Sequence, residues 1–269
     1  MSTTDVRVEV DGPHATVTFV TEGGVNVLSS EVLRRFQTAI AKVAREPAVR
    51  STEVRAEGKV FLAGADIKEM AAFRPDDARA YGKLGQEVLN DLAALPSMTV
   101  AAVNGAALGG GLEVALACDF RIAVKSAKIG LPEASLGVIP GWNGIPRLTK
   151  LIGPSRAKRL YLSAVPVTAG EEGIAWGVVD EVVNSAEDLE SRVVAFCKSF
   201  RRASPAALAL AKRAARDGDD LSAFADCFTK KDAQEGMTAF AQKRPASWME
   251  LGAKGTEARN ARKSDNATK

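Results

Sequence analysis

Residues 98–117 constrain this chain more than any other stretch. Met98 to Val103 is a short apolar run, read as a buried strand, and it stops at Asn104-Gly105. Shortly after, Gly109-Gly110-Gly111 opens an apolar helical stretch that runs to Ala117 and carries a single charge, Glu113. Glycines at a helix start permit positive φ and close approach of another group to the backbone. The first N–H groups of a helix have no partner within it and sit at the positive end of its dipole. They can therefore hold a developing negative charge. Glu113 lies three residues after Gly110, on the same face one turn later. Two readings stay open here: a carboxylate facing the same small volume as those donors, or a first-turn glutamate that caps its own helix.

The flanking patterns fit an α/β core. Residues 5–20 alternate and read as a strand pair turned at Asp11-Gly12-Pro13. Residues 30–46 place Val32, Leu33, Phe36, Ile40 and Val43 at helical spacing, with Ser29 or Ser30 to cap the start and Pro47 beyond the end. A strand is expected at 49–56, a loop from Gly58 to Gly64, a brief helix from Asp66 to Met70 and a longer one over 76–94. Strands follow at 119–124 and 127–130, helices at 143–152 and 154–163, and a strand at 178–183. Strands separated by helices imply parallel pairing. From residue 186 the pattern becomes purely helical, over 186–202, 205–216 and 220–243. The expected division is a core over 1–185, a helical region over 186–251 and a flexible basic tail over 252–269.

Charge and rare residues exclude several function classes. The tail holds five basic residues against two acidic ones, which accounts for the whole net charge of +3 and leaves 31 of each sign in the body. A neutral body argues against a nucleic-acid partner, although the tail leaves RNA contact as an alternative. Cys118, Cys197 and Cys227 form no metal-ligand spacing and read as reduced thiols of a cytoplasmic protein. No secretory pattern opens the chain, and no run is apolar enough to span a membrane. His14, the single histidine, sits in an alternating strand pattern, which disfavours Ser-His-Asp, Cys-His and His-rich metal chemistry.

A second glutamate, Glu133, follows Pro132 where the strand at 127–130 ends. Ligand sites in open α/β folds lie at such strand ends. Phe61 to Met70 breaks at Ala63-Gly64-Ala65 and enters a helix, offering small residues, exposed N–H groups and Lys68. That suits a phosphate-bearing ligand along the backbone, or an ordinary strand-to-helix loop.

Taken together, Ala63-Gly64-Ala65-Asp66-Ile67-Lys68-Glu69-Met70, Asn104-Gly-x-x-Leu-Gly-Gly-Gly-x-Glu113 and Pro132-Glu-x-x-Leu-Gly-x-x-Pro-Gly141 resemble the crotonase, or enoyl-CoA hydratase/isomerase, superfamily. The resemblance runs from about residue 5 to 248. It implies a ββα spiral core with a C-terminal helical oligomerisation region, assembled as a trimer or dimer of trimers. It implies hydration of a trans-2-enoyl-CoA, with isomerisation or another crotonase reaction as the alternative. Glu113 and Glu133 match the two catalytic carboxylates. The N–H groups of Ala65 and Gly110 match the oxyanion hole, and Gly141 matches the water-site glycine. Ala63, Gly64, Asp66, Ile67 and Lys68 match the stretch that holds coenzyme A. Phe240 and Lys243 would reach the coenzyme A of a neighbouring subunit. The thioester brings coenzyme A as part of the substrate; no metal or separate cofactor is implied.

One stretch departs from the family pattern. Where many hydratases carry small residues, this chain has Trp142-Asn143-Gly144-Ile145-Pro146. Pro146 is tolerated if Asn143 caps the helix. Trp142 either narrows the acyl pocket or packs into the core.

Overall fold

The computed structural model describes residues 4–249, so the expected basic tail lies outside the described residues. Strands β1 (Asp5–Asp11) and β2 (His14–Val20) form the expected antiparallel hairpin, with Val8 opposite Val17. Helix α1 (Ser30–Ala44) is capped by Ser29, whose Oγ accepts the Val32 N–H at 3.2 Å. Its periodic apolar residues are all buried, and Phe36 meets Phe19 of β2 edge-on with ring centroids 4.9 Å apart.

From β3 (Ser51–Ala56) onward the chain repeats one unit. After β3 comes β4 (Val60–Leu62), then helices α2 (Ile67–Met70) and α3 (Pro75–Ala93). Next β5 (Met98–Val103) is followed by β6 (Ala106–Leu108) and helix α4 (Gly110–Ala117). Then β7 (Phe120–Val124) is followed by β8 (Lys128–Gly130), a 3-10 turn over Glu133–Leu136, and helices α5 (Gly144–Ile152) and α6 (Pro154–Ser163). The first strand of each unit joins one sheet and the second joins another. With β9 (Val167–Thr168) and β10 (Glu181–Val183) added, the sheet orders are β1-β2-β3-β5-β7-β10 and β4-β6-β8-β9. Apart from the β1–β2 and β8–β9 pairs, every pairing is parallel. This is the ββα spiral that the sequence resemblance implied.

Three strand expectations need correction. The Gly58–Gly64 segment contains β4, and Ala106–Leu108 forms β6; each strand has only three residues, too few to show a period. The strand expected at 178–183 begins only at Glu181, because the Val178 and Val179 N–H groups turn back to the Gly173 carbonyl at 2.9 and 3.2 Å. That carbonyl closes a π-helical turn over Ala169–Gly173, after which the short helix α7 (Ile174–Trp176) leads to β10.

The C-terminal region is helical as expected: α8 (Ala186–Ser199), α9 (Pro205–Asp217), α10 (Asp220–Cys227) and α11 (Lys231–Ala241). The helix expected over 220–243 is two. Phe228, Thr229 and Lys230 donate N–H bonds to Ala225, Asp226 and Cys227, a tightening that breaks the helix between α10 and α11.

Helix α4 and strand β4 approach each other closely where α4 begins. A Cβ on Gly111 would lie 2.1 Å from the Leu62 carbonyl oxygen of β4. A methyl group there displaces strand from helix, with no flexible side chain to yield. Gly111→Ala is therefore expected to cost about 3 kcal/mol or more of unfolding free energy, read from urea denaturation; a loss under about 0.5 kcal/mol would show that the contact yields freely.

Candidate active site

Helix α4 starts beside β4's exit, and a cavity of about 510 Å³ lies against that junction. That size is ordinary for a small-molecule site. Ala63, Gly64, Ala65 and Ile67 line it from the β4–α2 connection, Gly110 and Glu113 from α4, and Glu133, Gly141 and Trp142 from the segment between β8 and α5. The fold thus gathers nine sequence-derived candidates into one space. Asp66 and Lys68 lie beside it without lining it. The Asp66 carboxylate accepts the Lys68 and Glu69 N–H groups at 2.9 and 3.3 Å and so caps α2. Phe240, on α11, is 87% exposed, and Lys243 follows that helix with φ of 55°; neither lines the cavity.

Glu113 does not cap its own helix. Its Oε1 accepts the N–H groups of Trp142 and Gly144, both at 2.8 Å, from the turn that precedes α5. The carboxylate is 2% exposed. Burial pushes its pKa up to about 7, against the lowering effect of the two N–H donors, and the nearby Glu133 charge raises it further. Glu133 is less buried, yet burial raises its pKa too. Its Oε2 is enclosed without a hydrogen-bond partner. The other oxygen sits against Gly109, where a Cβ would come within 2.9 Å of it. Gly109 adopts φ of 51°, so this position needs glycine for both conformation and space.

Gly110 and Ala65 both line this cavity. Gly110 is the first residue of α4, a position whose N–H has no carbonyl one turn back. Leu28 donates to the Gly64 carbonyl at 2.9 Å and accepts the Asp66 N–H at 3.2 Å, a parallel bridge that turns the amide of Ala65 to the opposite side. A Cβ on Gly64 would lie 3.5 Å from the Gly110 nitrogen, so the two segments run side by side.

The Trp142 turn is held from α3. Gln86 donates to the Gly141 carbonyl at 2.9 Å, and Arg147 donates to the Trp142 carbonyl at 2.9 Å and to Asn90 Oδ1 at 2.8 Å. Asn143 occupies the position before α5 with φ of 68°, and its side chain makes no capping bond. The expected asparagine cap is therefore replaced by a left-handed backbone turn, which Asn tolerates better than most residues. Pro146 is still the third helical residue, where its missing N–H costs nothing.

Sequence reasoning missed the cavity's α3 side: Met70 and Phe73 before the helix, Tyr81 and Gly82 within it. The available signal was Gly82 and Gly85 one turn apart inside a helix, where glycine is unfavourable unless something packs against the backbone.

This spiral, with two glutamates and a glycine-rich helix start lining one cavity, sets the fold and the site beside those of known proteins. The enoyl-CoA hydratase/isomerase family model matches residues 14–251. A crotonyl-CoA hydratase from Syntrophomonas wolfei is 39% identical over 84% of this chain and 90% of its own length. A short-chain-enoyl-CoA hydratase from Clostridium acetobutylicum is 34% identical, covering 91% and 97%. The crystal structure of an enoyl-CoA hydratase from Bacillus anthracis superposes with a TM-score of 0.82 at 33% identity, covering 90% of this chain and 98% of that one. The chain belongs to the enoyl-CoA hydratase/isomerase family and is an enzyme of it.

Glu113 leaves a stability signature. Its folded pKa lies above the unfolded value near 4.5, so stability declines as pH rises from about 4.5 to about 7 and is level above that. Glu113→Gln keeps an oxygen for both N–H groups and removes the titration. Its advantage over the parent is expected to grow across that window to roughly 2–3 kcal/mol, measured by chemical denaturation at several pH values; a pH-independent difference would contradict the raised pKa.

Proposed function

We propose that this enzyme adds water across the double bond of a trans-2-enoyl-CoA to give a 3-hydroxyacyl-CoA. The observation that carries the proposal is the unequal pair of carboxylates in one largely apolar cavity: Glu113, buried and bonded by two backbone N–H groups, and Glu133, half-buried with an enclosed oxygen bonded by none.

The chemistry follows from that inequality. The thioester carbonyl accepts the N–H groups of Ala65 and Gly110, which draws electron density from carbon 3. Both glutamates orient one water beside Gly141. Glu113 keeps two donors that favour its charged form, so it takes a proton from the water as the oxygen bonds to carbon 3. Glu133 lacks donors on Oε2 and loses solvent when substrate fills the cavity, so its neutral form is favoured and it delivers a proton to carbon 2. The enolate-like charge between these events rests on the two amides; losing one such donor typically costs about 3–4 kcal/mol of barrier. A proton passing from Glu113 back to Glu133 restores the starting state.

The nucleotide end of coenzyme A follows residues 63–67 and Lys68 in this reading, and Phe240 and Lys243 act on a neighbouring subunit's ligand within a trimer or a pair of trimers. Exposed apolar side chains on and between α10 and α11, among them Leu221, Phe224, Phe228 and Met237, support burial against neighbouring copies. The steps proposed use no metal, flavin or nicotinamide, and the cytoplasm remains the proposed compartment.

Turnover is read from loss of the conjugated-enone absorbance of crotonyl-CoA. Glu113→Gln and Glu133→Gln are each expected to lower kcat by about 10²–10⁴-fold; near-parental hydration by either would refute its assigned role. Because Glu113 must be ionised to accept a proton, kcat/KM should fall as pH drops below about 7.

A further inference from the structure

The Trp142 indole is wedged between α3 and α4. Its five-membered ring fills the space beside Gly85, where a Cβ would lie 2.2 Å from Cδ1 and Nε1. Its six-membered ring fills the space beside Gly110, where a Cβ would lie 2.3 Å from Cζ3. Only 3% of the residue is exposed, and it still lines the cavity. The two sequence readings of Trp142 are thus joined: it packs into the core and forms a wall of the site.

That wall is braced. Tyr81 packs edge-on against the indole with centroids 5.3 Å apart, and Phe73 packs on Tyr81 at 5.2 Å. The Tyr81 hydroxyl donates to the Leu28 carbonyl, which fixes its ring. The Trp142 backbone is held at both ends, by its N–H on Glu113 and its carbonyl on Arg147. With helices on two sides and an anchored ring on a third, the indole is packed on every side but the one that faces the cavity.

The wall stands against Gly110, at the amide that would hold the thioester carbonyl. An acyl chain leaving that point toward the gap between α3 and α4 meets the indole. Glu113 and Glu133 are the only charged residues lining the cavity among the described residues. A carboxylate on the acyl tail would meet two acidic groups and no cation.

We propose that Trp142, seated in the Gly85 and Gly110 sockets, closes the acyl end of the site and restricts the enzyme to short, uncharged 2-enoyl groups. The inference rests on the enoyl-CoA reading above and names the substrate class within it.

The test compares kcat/KM for trans-2-enoyl-CoA thioesters of four, six, eight and ten carbons, and for a five-carbon 2-enoyl-CoA ending in a carboxylate. For the parent enzyme, the ten-carbon and carboxylate-ended substrates should fall about 100-fold or more below the four-carbon one. The variant readout is the ten-to-four-carbon ratio within each protein. Trp142→Ala should raise that ratio by about tenfold or more, and Trp142→Phe, which retains a ring and so keeps the fold if the smaller residue does not, should raise it less. Gly85→Ala, which pushes the indole toward the cavity, should lower it further. Calorimetric binding of saturated acyl-CoA thioesters of the same lengths gives the same order independently of the reaction. If hydration fails while binding keeps this order, the function proposed above falls and the wall stands. Equal use or equal binding of short and long chains by the parent, or a ratio unmoved in folded Trp142→Phe, would overturn the wall. Efficient turnover of the carboxylate-ended substrate would overturn the restriction to uncharged acyl groups.

Discussion

Everything around the cavity depends on one carboxylate oxygen. Glu113 Oε1 accepts two amides of a single turn and thereby ties α4 to the start of α5. The turn it holds is not relaxed: Asn143, between the two donors, sits in the left-handed region that most side chains avoid. Gln86 and Arg147 grip the same turn from α3 and α5. Three helices are therefore positioned by contacts to three consecutive peptide groups. A shift in any of them moves Glu113, and with it the geometry available to a bound molecule.

The electrostatics follow from the same anchoring. Burial raises the pKa of both glutamates, but their surroundings differ in kind. One carboxylate is held by backbone dipoles that cannot leave; the other has an oxygen enclosed without a donor. The small residues nearby serve this difference. Gly109 lets the Glu133 carboxylate lie against the backbone, and Gly64 brings the β4–α2 connection beside the first amide of α4.

Much of this was legible in the sequence because it was written in residues with few alternative uses. Three consecutive glycines before an apolar helix, and a proline before a glutamate at a strand end, marked both carboxylates. The hairpin, α1, α3 and the helical C-terminal region followed from alternation and helical period. The strands of the second sheet did not, since Val60–Leu62 and Ala106–Leu108 are too short to carry a pattern and are recognised only by their neighbours. The partner of Glu113 was also hidden. An N–H donor is the same in every residue, so nothing in Trp142 or Gly144 announces a bond to a side chain 29 or 31 residues earlier. The α3 wall was half-visible, as two helical glycines whose reason lay in a tryptophan from another element.

That tryptophan and its sockets have a historical consequence. Gly85, Gly110 and Trp142 share one volume, so they cannot vary independently. A chain with alanine at 85 has no room for an indole in its present seat and would push it toward the cavity, whereas glycine at 85 with a small residue at 142 leaves an unfilled space between two helices. Glycine must therefore precede tryptophan along any stepwise route in which every intermediate folds without overlap. The forerunner on such a route carries an empty slot beside Gly110. Filling that slot would have required only one later change of side chain.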